Sequence, residues 1–158
     1  MRSRALAVAA LVVTMSAAPV LRAELDLERV LAPVIALEAY IPEDAASAET
    51  LGTVRGGTGV VIDGNGLVVT IGYLILEASS VDLLPNGLAG GRVPADVVAW
   101  DSVTGLGLLR ARQTLAIDPM PLGDSAALGA GDAAIAVSWE RVRGLLPAVV
   151  VEIGRAHV

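Results

Sequence analysis

"GTGVVIDGNGLVVTIGYLILEA", Gly57 to Ala78, decides how this chain is read. "GTGVVID" and "LVVTI" are rich in β-branched residues, and "DGNG", Asp63 to Gly66, separates them. Asp-Gly and Asn-Gly steps supply the positive φ that a tight turn demands, with Gly64 and Gly66 as the candidates. The stretch therefore predicts a β-hairpin. Its second strand closes at Thr70 and delivers Ile71, Gly72 and Tyr73 to the strand's end.

Upstream, "LDLERVLAP", Leu25 to Pro33, spaces Leu27, Val30 and Leu31 as one helical face, and Pro33 stops it. Val34 to Ile41 alternates, with Ile35, Leu37, Ala39 and Ile41 on one side of a strand. Pro42 to Thr53 is acidic and rich in Ala and Ser, which predicts a surface loop. Downstream, strands are predicted at Ser80 to Leu84, Val93 to Trp100, Leu106 to Arg110 and Ala133 to Ser138. Gly or Pro punctuates them in "PNGLAGG", "DSVTG", "DPMPLGD" and "LGAGD". Short strands at this spacing predict an all-β antiparallel barrel or sandwich.

Composition narrows the function. The 158 residues contain no Cys, so no disulfide staples the fold and no thiolate serves as nucleophile or ligand. No Lys is present either, and all 11 basic residues are Arg. The formal charge of −6, with no basic run, argues against nucleic acid as a partner. Acidity of this kind serves solubility.

Both termini read as foreign to the folded domain. Arg2 and Arg4, the short apolar run Ala5 to Met15 and "SAAPVLRA" ending at Ala23 form a secretory signal pattern over residues 1–23. The run is too short to span about 30 Å of hydrocarbon, so no stable membrane span is expected after cleavage. An exported protein, periplasmic or extracellular, is the expectation. At the other end, "EIGRAHV" back-translates to a nucleotide run resembling the start of a common short-read sequencing adapter. Residues 152–158 are accordingly expected to be non-native read-through. On that expectation the domain occupies 24–151, the gene continues beyond Val151, and His157 is not part of the protein.

The order of segments carries a resemblance. "GTGVVIDGNGLVVT", then "VVAWDSVTGLGLLRA", then "PMPLGDSAALGAGDAAIAVS" resembles the trypsin-like serine proteases of the HtrA (Deg) type over about Pro33 to Ser138. "PLGDS" at Pro121 to Ser125 with Gly131-Asp132 is its most specific part. The resemblance implies a trypsin-like antiparallel β-barrel, the first of the family's two six-stranded barrels, with the active site between them. Half of such a fold would leave an apolar face and strand edges exposed. It also implies where catalytic groups belong. The family's His position, three residues after the strand-closing Thr70, holds Tyr73. The family's Asp position falls at Gly105, and the Ser belongs to the second barrel, absent from this chain.

Chemistry independent of any family supports that departure. A serine hydroxyl needs a base titrating near working pH, which imidazole provides and a phenol, ordinarily near pKa 10, does not. A Ser–Lys dyad needs a Lys, and a glycine orients nothing. The expected function is a catalytically inactive, HtrA-like envelope protein that binds polypeptide or a partner subunit. Assembly into an oligomer stays open. The alternative is a serine-type endopeptidase whose nucleophile lies in a second barrel beyond Val151.

Other constellations read as structure. Asp124-Ser125 is expected to be a turn, and Gly129, Gly131 and Asp132 lack the Lys and strand-to-helix setting of a phosphate loop. Asp63 lacks the remaining ligands of a calcium loop and reads as a turn residue. Glu77, Asp96 and Asp101 are not shown by sequence to converge. Trp100 and Trp139 are expected in the core or at a barrel end. No cofactor or metal is expected.

Overall fold

The computed structural model describes residues 26–85, 87, 91–139 and 146–149. The expected leader at 1–23, the tail at 152–158 with His157, and part of the "PNGLAGG" turn lie outside the described residues.

The chain enters through α1 (Leu27–Leu31), a helical turn opened by Asp26, whose carboxylate accepts the Arg29 N–H at 3.1 Å. Then follow β1 (Val34–Tyr40), α2 (Ala48–Leu51), β2 (Val54–Val61), β3 (Leu67–Ile71), α3 (Gly72–Ile75), β4 (Ser80–Leu84), β5 (Val93–Trp100) and β6 (Leu106–Ala111). A 3-10 turn at Ser125–Ala127 precedes β7 (Ala133–Ala136) and β8 (Leu146–Val149). β1 to β6 form a closed antiparallel barrel in the order β1-β2-β3-β6-β5-β4, while β7 and β8 make a separate two-stranded sheet.

Strand alternation builds the core. Ile35, Leu37 and Ala39 of β1 point inward with Val61, Val68, Val81, Leu83 and Leu109, all buried. Ile41 continues that face, as the sequence pattern predicts. Burying such side chains contributes roughly 1.5–3 kcal/mol each. Val34 and Ala36, which alternation assigns to the outside of β1, are buried as well. Ala36, Gly57, Leu84 and Trp139 border one hollow there, so the outer side of β1 is sheltered by Trp139. Trp139 is tied down by its main-chain N–H, which donates to the Thr58 hydroxyl at 2.8 Å.

The predicted hairpin is present, with Val60 opposite Val69 and Val61 opposite Val68. Asp63 builds its turn by accepting the N–H groups of Asn65 at 2.9 Å and Leu67 at 2.7 Å. Only one of the two candidate glycines uses its freedom: Gly66 has φ +75°, whereas Gly64 does not enter the left-handed region. A Cβ on Gly66 would also lie 2.9 Å from the Ala111 Cβ.

Three expectations are corrected. The loop from Pro42 to Thr53 contains α2, whose Ala48 is buried against the core. A two-turn-long apolar period was never there to be seen in so short a helix. β7 ends at Ala136, before Ser138. Of the two placements expected for the tryptophans, Trp100 takes the barrel end, last in β5 and 48% exposed, while Trp139 is half-buried. The barrel closes through β1 and β4, Ala36 opposite Leu84 to Tyr40 opposite Ser80, so of the open strand edges expected of half a fold the barrel keeps little among the described residues. Part of β5 remains exposed all the same.

Candidate functional site: the end of β3

β3 runs antiparallel to β6, with Thr70 opposite Gly107 and Ile71 opposite Leu106. Thr70 is buried and its hydroxyl donates to the Thr58 C=O at 2.8 Å, which joins β3 to β2 beyond the last paired residues. The chain then turns into α3, whose Gly72 packs on β6: its N–H donates to the Gly105 C=O at 2.8 Å. Gly107 allows this approach, because a Cβ there would meet the Gly72 Cα at 3.3 Å and Ile75 closer still. The fold therefore brings the two positions singled out in the sequence together. Tyr73 follows a residue whose amide is bonded to Gly105.

Tyr73 itself is 52% exposed, and among the described residues its hydroxyl makes no hydrogen bond. Only its carbonyl is engaged. Arg55, on β2 and 4% exposed, donates through Nη1 to the C=O of Tyr73 at 2.7 Å and of Leu76 at 3.0 Å. Its Nε donates to the Gly52 C=O at 3.1 Å and its Nη2 to the Ser47 hydroxyl at 2.7 Å. One buried guanidinium thus ties α2, β2 and α3 into a single block. Carbonyls at the end of a helical turn are good acceptors for a cation.

Sequence reasoning missed Arg55. Its signal was parity: Arg55, Gly57, Gly59 and Val61 share one side of β2, and Val61 is core. Glu77 completes the block by accepting the Ser47 N–H at 2.8 Å. The Ser47 hydroxyl and N–H hold the Glu77 carboxyl below its usual range. Glu77 also has φ +60°, a left-handed conformation costing roughly 1–2 kcal/mol, which the bond to Ser47 offsets.

Gly105 sits at φ +71°, with nothing within 4 Å of a Cβ built there. Its turn is held by Asp101, which accepts from Val103 N at 3.0 Å, Thr104 N at 3.3 Å and Thr104 Oγ1 at 2.8 Å. The Val103 amide first, then the Thr104 hydroxyl, keeps the Asp101 carboxyl below its ordinary value. Asp101 lies four residues before Gly105 and caps its own turn.

Glu77 and Asp96 do not converge with Asp101. Asp96 pairs with Arg112, and Glu77 with Ser47. Among the described residues, no group of His, Asp or Glu is placed to hold a metal ion. Asp124 accepts the Ala126 N–H at 2.9 Å and Asp132 the Gly129 N–H at 2.8 Å, so both organise turns. No helix among the described residues is long and apolar enough to cross a membrane.

A family model described as a trypsin-like peptidase domain matches residues 57–154. A solved structure, a variant of the HtrA-type protease AlgW with a tripeptide, is similar in fold at a TM-score of 0.61 and 19% identity. That similarity covers 82% of this chain and 39% of the other, so the chain spans well under half of the protease it matches. No curated protein matches the sequence.

Proposed function

The chain belongs to the trypsin-like peptidase domain family, and from that premise we propose that it is an exported, catalytically inactive HtrA-like protein that binds polypeptide or a partner subunit. On this reading residues 1–23 are removed on export, and residues 24–151 are the binding domain. The observation that carries the reading is the end of β3. Tyr73 stands there with a phenol that no described residue bonds, next to the Gly72 whose N–H reaches Gly105, and Gly105 has no side chain to orient it. A peptidase of this family needs a base and its orienting carboxylate at those two places, and each group is of little use without the others.

The scaffold beneath the site is intact, which favours a second reading as a serine endopeptidase whose nucleophile follows Val151. Arg55 still fixes α3, and the space over Gly105 still admits a carboxylate. The two readings separate in one experiment. The protein expressed from the full-length gene, including whatever follows Val151, is assayed on unfolded casein and with a fluorophosphonate probe for activated serines. The expected result is no hydrolysis and no labelling. Labelling that disappears in Tyr73→Phe would overturn the inactive reading.

The scaffold argument makes its own prediction. Tyr73→His with Gly105→Asp should fold, at a cost within about 1–2 kcal/mol, because Asp tolerates the left-handed region better than most residues. Thermal melts of the double variant check this. Activity should return to the double variant only together with an intact second barrel.

A further inference from the structure

β5 leaves its neighbour early. It pairs with β4 only at Val93, Pro94 and Ala95, yet continues to Trp100 alongside β6. From Asp96 to Trp100 the β4-facing edge has no strand partner, and all five residues are exposed. The ladder to β6 fixes which groups this leaves free. Arg112 N–H donates to the Pro94 C=O and Asp101 N–H to the Leu106 C=O, both at 2.9 Å. Alternation then turns the main-chain N–H and C=O of Val97 and Trp100 away from β6. β2 has a comparable run beside β3, but there Thr70 bonds to Thr58 and α3 packs over Gly57. α3 lies near β5 as well, but among the described residues no hydrogen bond is made to the outward main-chain groups of Val97 or Trp100.

The surroundings are shaped for a chain rather than a small molecule. Where β5 parts from β4, Ser79, Ser80, Pro94, Val97 and Arg112 border an open cleft of ≈ 390 Å³. At the far end, Val69, Ala99, Trp100, Leu106 and Leu108 line an apolar groove of ≈ 240 Å³, with Asp101 at its rim. Among the described residues Asp101 is bonded only by neutral donors, and no Arg pairs with it. A free edge offers donors and acceptors at the spacing of another strand, and pockets beside it select alternate side chains.

We propose that the β5 edge from Asp96 to Trp100 is a strand-addition site for an extended segment of another polypeptide, carrying an apolar side chain for the Trp100 groove and a basic residue for Asp101. The proposal rests on the polypeptide-binding reading above. A second copy of this chain fits the edge poorly. If Val97 of one copy paired with Trp100 of the other, Asp96 would face Asp101 on both sides, and like charges directly opposite are unfavourable. The extra residue at Val98, a bulge between Val97 and Ala99, twists the edge further from flat self-pairing.

The test uses the purified protein and a fluorescent peptide, acetyl-Arg-Val-Thr-Val-Thr-Val-amide. Binding is read by anisotropy, and the bound edge by hydrogen exchange of the Val97 and Trp100 amides. Saturable binding with slowed exchange at both amides is expected. N-methylation of alternate peptide residues should weaken binding at least about tenfold, because it removes ladder donors. Asp101→Asn, which keeps one of the turn's two acceptor oxygens, should weaken it several-fold and reduce its salt dependence. Equal binding of the N-methylated peptide overturns the proposal, as does protection confined to the α3 region. Protection of the edge without peptide, in a protein that scatters as a dimer, replaces the proposed occupant with a second copy. If the peptide fails while unfolded casein still associates, the edge is wrong and polypeptide binding stands; if neither associates, both fall.

Discussion

The two ends of β3 are each organised by a single charged side chain, one acidic and one basic. At the Leu67 end, the Asp63 carboxylate accepts main-chain N–H groups and pairs with Arg110 at 3.2 Å. At the Ile71 end, the Arg55 guanidinium donates to main-chain carbonyls. Asp63 reaches residues 2 and 4 positions away, whereas two of the carbonyls held by Arg55 are 18 and 21 positions away. The Asp63 side chain is 34% exposed, but Arg55 is 4% exposed. The first turn therefore makes itself and can lose its ion pair to water. The second exists only once three elements have met, and its cation has no water to fall back on.

That contrast is broken most forcefully at Arg55. Arg55→Met removes every donor from the carbonyls of Gly52, Tyr73 and Leu76 at once. Each buried acceptor left unpaired costs about 1–3 kcal/mol, so a loss of about 3 kcal/mol or more is expected in denaturant titrations. Exchange protection at Gly72 and the exposure of Tyr73 should change with it. Arg55→Lys should fall between, because an ammonium cannot reproduce the planar fork. Wild-type stability in Arg55→Met would show that α3 is held by its packing alone.

At the other end the glycines sharpen the comparison. Gly66→Ala should cost about 1–3 kcal/mol, from its left-handed φ and the close Ala111 Cβ. Gly64→Ala should stay within about 0.5 kcal/mol, since nothing lies within 4 Å of its Cβ and its φ is ordinary. Thermal melts of the pair measure the difference directly, and equal effects would contradict the turn as described.

The smallest expected effect is on acid stability. The Leu67 N–H first, and the Arg110 side chain after it, hold the Asp63 carboxyl below its ordinary value. A carboxylate depressed in the folded state stabilises above its unfolded pKa, about 3.9, and that contribution is lost as pH falls through the lower folded value. Asp63→Asn should flatten this acid limb and leave the neutral-to-alkaline profile unchanged in shape. An unaltered limb would mean that the other depressed carboxylates, Glu38, Asp96 and Asp101 among them, dominate it.

What could be read from residues alone follows the same division. The hairpin was legible because Asp63 and the flanking β-branched runs act within a few residues. Strands Ser80–Leu84 and Val93–Trp100 fell where the punctuation put them. The core face Ile35, Leu37, Ala39 and Ile41 followed from alternation. α2 and α3 were not legible, since four residues are too few to show a helical period.

The site divides likewise. Its sequence determined that a phenol, rather than an imidazole, stands three residues beyond Thr70, and that no Cys or Lys is available anywhere. Those are facts of covalent composition, and no folding can change them. Only the tertiary structure decided that Gly72 bonds to Gly105, that Arg55 is buried beneath Tyr73, and that β5 outruns β4 after Ala95. Each depends on segments 14 to 33 residues apart meeting in a closed barrel. A strand's own sequence states which side chains alternate, but where its neighbour stops is set by the neighbour.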